Sequence, residues 1–111
     1  AGYWNGIIYY SNKQASIMNY VNISGGGYGE DWAESNNLYI YEGNRRLTIT
    51  NCVISNSQYY GIELDSPSVM ERITHSNVVF LNNQAGNVYF DYGGEYNGVT
   101  YEGGQVIPQL P

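Results

Sequence analysis

Leu47-Thr48-Ile49-Thr50-Asn51-Cys52-Val53-Ile54-Ser55-Asn56-Ser57-Gln58 matches Ile73-Thr74-His75-Ser76-Asn77-Val78-Val79-Phe80-Leu81-Asn82-Asn83-Gln84 at an offset of 26 residues. The correspondence continues from Gly61-Ile62-Glu63-Leu64-Asp65 into Asn87-Val88-Tyr89-Phe90-Asp91. Internal periods of this size predict a solenoid, in which each repeat buries its apolar face only against its neighbours.

Working outward, two apolar-patterned segments recur in each repeat. The first set is Gly6-Ile7-Ile8-Tyr9, Asn37-Leu38-Tyr39-Ile40, Gly61-Ile62-Glu63-Leu64 and Asn87-Val88-Tyr89-Phe90. Strand alternation turns Ile7, Leu38, Ile62 and Val88 inward, followed by Tyr9, Ile40, Leu64 and Phe90. It turns Ile8, Tyr39, Glu63 and Tyr89 outward, then Tyr10, Tyr41, Asp65 and Asp91. The second set covers residues 18–23, 49–54 and 75–80, with Ile23, Ile54 and Phe80 equivalent. No stretch of a dozen residues holds a helical period, so helices are not expected. The fold expected is all-β, a right-handed parallel β-helix of about four coils with ~26 residues per coil. A single domain spans 1–111, with coils at roughly 4–36, 37–60, 61–86 and 87–107. Val99-Thr100-Tyr101, 26 residues beyond Ile73-Thr74-His75, suggests a further partial turn. The long first repeat holds a glycine-rich acidic loop, 24–36, and a tail of residues 97–111 closes the chain. That loop lacks the Lys-Ser/Thr of a phosphate-binding P-loop and carries Glu30, Asp31 and Glu34, which disfavours a phosphate cradle.

Composition narrows the function classes. Charged residues are only 13% of the chain, while thirteen tyrosines and fourteen glycines suit strands and corners. A net charge of -6 with four Lys and Arg argues against nucleic acid as a partner. No apolar run approaches the ~20 residues of a membrane span. Cys52, the single cysteine, aligns with Val78 and is expected as a small buried hydrophobe. His75, the single histidine, aligns with Ile49 and is expected to be a satisfied structural residue. One His and one Cys cannot furnish a zinc tetrad. A chain opening on Ala1 rather than Met fits a mature secreted protein or an excised fragment, so the expected location is extracellular.

Trp4-Asn5-Gly6-Ile7, Tyr20-Val21-Asn22-Ile23-Ser24-Gly25-Gly26-Gly27, the stretch 47–57 and Gly61-Ile62 together resemble the pectate-lyase-like superfamily, in the style of bacterial secreted and cell-surface repeat proteins. The resemblance covers about residues 4–92 and implies a parallel β-helix without fixing an activity, since the superfamily spans lyases, hydrolases, adhesins and phage fibres. In its enzymes the active site lies on the outward face of the first sheet. In this chain that face is Tyr39, Tyr41, Glu63, Asp65, Tyr89 and Asp91.

Those six residues are the candidate ligand-binding set. Tyrosine faces cover sugar rings while carboxylates take the hydroxyl hydrogens. The competing structural reading is that tyrosine simply suits a half-buried strand. Glu63, Asp65 and Asp91 are the catalytic candidates of an alternative reading, a fragment of a polysaccharide lyase or glycoside hydrolase. A lyase also needs a positioned base; the candidates are Lys13, Arg45, Arg46 and Arg72, and the three arginines lie in or beside the turn leading to the second sheet, not on the carboxylate face. The motifs of a polygalacturonase-like hydrolase are missing. Asp65 and Asp91, one repeat apart, also suggest a Ca²⁺ site, although no cofactor is required and a solvated acidic strand end explains them as well. Asn51 over Asn77 and Asn56 over Asn82 are expected to form internal amide ladders at corners.

The sequence thus points to a non-catalytic extracellular structural or adhesive module. Uncapped sheet ends suggest self-association by coil stacking, end to end, into a filament or surface layer. Polysaccharide is the other partner suggested.

Overall fold

The second-set strands show most directly how the chain is organised. In the computed structural model, which describes residues 6–9, 15–26, 36–41 and 46–111, the chain forms eleven strands and one 3₁₀ helix among the described residues. Glycine-rich loop residues 27–35, including Glu30, Asp31 and Glu34, lie outside the described set, as do Trp4, Tyr10, Lys13 and Arg45. The strands are β1 (Ile7–Tyr9), β2 (Ser16–Asn19), β3 (Asn22–Ser24), β4 (Asn36–Ile40), β5 (Leu47–Ser55) and β6 (Tyr60–Leu64). After the 3₁₀ helix (Pro67–Arg72) come β7 (Ile73–Leu81), β8 (Gly86–Phe90), β9 (Gly94–Tyr96), β10 (Val99–Tyr101) and β11 (Val106–Ile107).

β5 and β7 pair in parallel with Leu47 opposite Ile73 and Ile54 opposite Phe80, so the 26-residue offset is a pairing register. Both strands bend at an asparagine with positive φ, Asn51 at 54° and Asn77 at 52°. Asparagine tolerates the left-handed region better than most side chains, which makes it a suitable corner residue. Asn77 Nδ2 donates to Asn51 Oδ1 at 2.9 Å, and Asn51 Nδ2 donates to Asn19 Oδ1 at 3.1 Å. The ladder expected at this corner exists, but on the exposed surface rather than inside.

The four-coil parallel β-helix expected from the repeat is not the fold. The chain is a small compact β structure with mixed pairing in several small sheets, not a solenoid. One sheet of five strands runs β1-β4-β6-β8-β11, parallel until its last pair, where β11 lies antiparallel to β8. A second runs β2-β5-β3 with β7 also on β5, and β9 and β10 form an antiparallel pair of their own. The radius of gyration, 12.7 Å, matches the ~13 Å of a compact domain of this length. With the solenoid goes the fold that the family resemblance implied.

The physical cause lies after Phe90. Asn97 and Gly98 both take positive φ, 51° and 77°, the backbone of a tight hairpin turn, and Gly104 follows at 81°. Val99-Thr100-Tyr101 therefore pairs backwards with β9 and begins no further turn of the repeat. The tail then folds onto its own chain: Leu110 is buried, Gln109 Nε2 donates to the Val78 carbonyl at 2.8 Å, and His75 Nε2 lies 2.7 Å from the Pro111 carbonyl oxygen. The 3₁₀ helix is a second departure from expectation. Pro67 sits at its start, and Pro67, Val69 and Met70 bury a short segment too brief to show a helical period.

The core lies between the two larger sheets. Leu38, Ile62 and Val88 stack in one row, and Ile40, Leu64 and Phe90 in the next, all with 2% exposure or less. Leu47, Ile49, Cys52 and Ile54 face them from β5. Cys52 is buried, with its Sγ 3.2 Å from the Thr50 carbonyl oxygen and 3.5 Å from that of Met18. At one corner the core includes a polar knot. Asn83 Oδ1 accepts from the Ser57 N–H at 3.1 Å, and Asn83 Nδ2 donates to the Ile54 carbonyl at 3.0 Å. Asn37 Oδ1 accepts from the Gly26 N–H and its Nδ2 donates to the Ser55 carbonyl, both at 2.7 Å. Gly61 lies against this knot; a Cβ there would stand 2.9 Å from Asn83 Nδ2, the Asn87 carbonyl oxygen and Phe80.

Candidate functional site: a tyrosine and carboxyl cleft

β4, β6 and β8 place Tyr39, Glu63 and Tyr89 side by side on the face away from the core, in the register Tyr39–Glu63–Tyr89. One step further along lie Tyr41, Asp65 and Asp91, where the backbone ladder continues from the Asp91 N–H to the Leu64 carbonyl at 3.0 Å. These six residues line an open cleft of about 510 Å³. Tyr59, Tyr60 and Tyr92 complete its described lining. That volume falls within the ~300–1,000 Å³ of small-molecule sites.

The lining residues differ in accessibility. Tyr39 is only 1% exposed and Glu63 only 4%, so both form the floor. Tyr41, Tyr59 and Tyr92 are 45%, 42% and 67% exposed and form the rim. Tyr60 and Tyr89 stack with ring centroids 4.3 Å apart and planes 11° from parallel. Tyr39 and Tyr41 meet at a tilt, 5.9 Å between centroids. Tyr39, expected from alternation as an exposed contact, instead donates its hydroxyl to Asp91 Oδ2 at 2.9 Å. Its role is to hold Asp91 in place rather than to offer a ring face.

The floor brings two carboxyls near each other, Glu63 and Asp91, each fixed by its own hydrogen bond. Asn36 Nδ2 donates to Glu63 Oε1 at 2.7 Å, and Asn36 Oδ1 accepts from the Tyr60 N–H at 3.3 Å. Burial raises the Glu63 carboxyl from 4.5 to about 8; its hydrogen bond to Asp91 and repulsion by that carboxylate also raise it, while the Asn36 donor works against them. A Glu63 carboxyl raised in this way keeps its proton near pH 7, as burial beside a second carboxyl favours the neutral form. Tyr39 is held well above the ordinary phenol range, by burial first and by Asp91 next. Tyr60 is raised by burial and by the neighbouring Tyr89, Glu63 and Asp91.

Asp65 and Asp91, the pair read as a Ca²⁺ candidate, both line the cleft. Among the described residues no three His, Cys, Asp or Glu side chains are grouped to hold a metal ion. No helix among the described residues is long and apolar enough to cross a membrane. Sequence reading missed Tyr59, Tyr60 and Tyr92; Tyr59 and Tyr92 flank β6 and β8, outside the segments where alternation was traced, and Tyr60 begins β6. No family model, curated protein or solved structure matches this chain.

Proposed function

We propose that the protein is a non-catalytic extracellular module that binds polysaccharide through the cleft formed by β4, β6 and β8. The observation that carries this reading is the rim. Tyr41, Tyr59 and Tyr92 present exposed aromatic surface around half-buried Asp65 and Asp91. Sugars have apolar ring faces and a rim of hydroxyl donors, and this lining offers ring surface together with carboxylate acceptors. An open cleft also lets a polymer enter without presenting a chain end.

The enzymatic alternative assigns Glu63, Asp65 and Asp91 to catalysis. Retaining glycosidases hold their two carboxyls ~5–5.5 Å apart and inverting ones ~6.5–9.5 Å, leaving room for the sugar or a water. Glu63 is instead almost wholly covered, its carboxyl held by Asn36 and raised by the neighbouring Asp91, while Asp91 is held by Tyr39. This geometry favours binding over cleavage. Stacking of copies at the β8 edge is also disfavoured, since β11 already occupies that edge.

The test is titration of soluble oligosaccharides, first selected on a glycan array, into the protein and into Tyr59→Ala and Tyr92→Ala. Both side chains are exposed, so the variants should fold as the parent does. Each should weaken binding about three- to tenfold, as expected for loss of a ring contact worth roughly 1 kcal/mol. Unchanged affinity in both variants, or no glycan bound by the parent, would defeat the reading.

A further inference from the structure

The corner built on Asn51 and Asn77 has a third member that breaks its rule. Tyr20 takes the equivalent place on the neighbouring rung, where Asn19 pairs with Thr50 and the Tyr20 N–H donates to the Thr50 carbonyl at 3.2 Å. Like the two asparagines it has positive φ, 57°. A bulky side chain in the left-handed region is an outlier that the surrounding structure must impose. Burial does not offset the strain, since Tyr20 is 79% exposed. The amide ladder ends on Asn19 instead. Residue 20 therefore carries a ring that neither backbone preference, nor the ladder, nor the core calls for.

Two residues further on stands Asn22-Ile23-Ser24, the one Asn-X-Ser/Thr triplet of the chain. Such triplets are frequent in chains rich in Asn and Ser; this one is distinguished by where it sits. It coincides with β3, a three-residue strand at the end of its sheet. Alternation buries Ile23 at 3% exposure and leaves Asn22 and Ser24 both exposed. We propose that Asn22 is an N-glycosylation site and that Tyr20 is the platform for its first sugar. The donor is an oligosaccharide carried on a lipid pyrophosphate. The bond from Asn22 Nδ2 to the anomeric carbon forms and the bond from that carbon to the pyrophosphate oxygen breaks. The lipid pyrophosphate leaves with the electron pair, and Nδ2 gives up one proton. An exposed aromatic ring then covers the apolar face of the attached sugar, removing both surfaces from water. Strain held at an exposed position fits such a duty. The site is separate from the cleft and shares with the reading above only the extracellular location.

The experiment secretes the full chain from a eukaryotic cell behind a cleavable leader, as the parent and as Asn22→Gln, Ser24→Ala and Tyr20→Asn. The parent should carry one N-linked glycan at Asn22, read as a mass increase that a glycan-releasing amidase removes while converting residue 22 to aspartate. Asn22→Gln and Ser24→Ala should both emerge without it. After release the parent should melt about 4 °C or more below its glycosylated form. In Tyr20→Asn, where asparagine suits the left-handed corner, that gap should close. An unmodified Asn22 in the secreted parent would overturn the site and leave the cleft reading standing. A gap that persists in Tyr20→Asn, or no gap in the parent, would overturn the pairing of sugar and ring. Failure of the cleft to bind oligosaccharide while Asn22 is modified would defeat the polysaccharide reading alone.

Discussion

Replacing Asn83 with Leu should lower the unfolding free energy by about 2–4 kcal/mol, a fall in Tm of roughly 10–20 °C for a domain of this size. Asn83 is 9% exposed and ties three segments of chain together. Its Oδ1 is the acceptor for the Ser57 N–H, and its Nδ2 donates to the Ile54 carbonyl and, at 3.4 Å, to Asn87 Oδ1. Leucine keeps the branched heavy-atom skeleton, with bulkier methyl ends and no polar atoms, so a buried N–H loses its acceptor and a buried carbonyl loses a donor. A buried polar group deprived of its partner costs about 1–3 kcal/mol. Gly61, packed against the same amide, leaves little room for the corner to rearrange. Thermal unfolding by circular dichroism reads the effect, and a Tm within two or three degrees of the parent would show that the knot is not a source of stability.

The second large effect is a dependence of stability on pH that runs opposite to ordinary acid unfolding. Folded Glu63 keeps its proton up to about pH 8, whereas in the unfolded chain it loses it near 4.5. Folding therefore takes up a proton between those values. The contribution to stability is complete below pH 4.5, declines as pH rises, and is gone above about 8. The slope approaches about 1.4 kcal/mol lost per pH unit in the middle of the window. Glu63→Gln, which preserves an acceptor for Asn36 and a donor for Asp91, should remove most of this slope and leave the variant more stable than the parent at pH 8. Urea denaturation at pH 5, 6, 7 and 8 measures both. A parent whose stability rises across that range, or a Gln variant with the same slope, would contradict a buried neutral Glu63.

Much of this arrangement was legible in the sequence because strands write their geometry in period two. Leu38, Ile62 and Val88, then Ile40, Leu64 and Phe90, alternate with polar or tyrosine positions, and the 26-residue offset aligned β5 with β7 and β6 with β8 to the residue. The same alternation placed Glu63, Tyr89, Asp65 and Asp91 on one face, where they line the cleft. What it cannot encode is what covers a face. Tyr39 belongs to the outward row yet is buried, and Glu63 beside it is buried too. Without that burial the shift of Glu63 would not arise.

The solenoid expectation failed at the C-terminal segment for a specific reason. Asn97-Gly98 is a hairpin signal, and there a local turn preference opposed the repeat alignment. The turn prevailed, since two residues with positive φ commit the chain to reversal whatever its later residues resemble. Tyr59 and Tyr92 escaped notice because a loop residue has no period from which its direction can be read. The 3₁₀ helix escaped for a similar reason, with Pro67 the one available sign.

The most direct test of the central claim is to locate glycan binding on the molecule. Uniformly ¹⁵N-labelled protein would be titrated with the oligosaccharide selected on the glycan array while backbone amide shifts are followed. The account predicts saturable changes concentrated at Tyr41, Tyr59 to Asp65 and Tyr89 to Tyr92, with the Asn51–Asn77 corner unmoved. Saturable changes centred on that corner or on the tail, with the cleft silent, would contradict it.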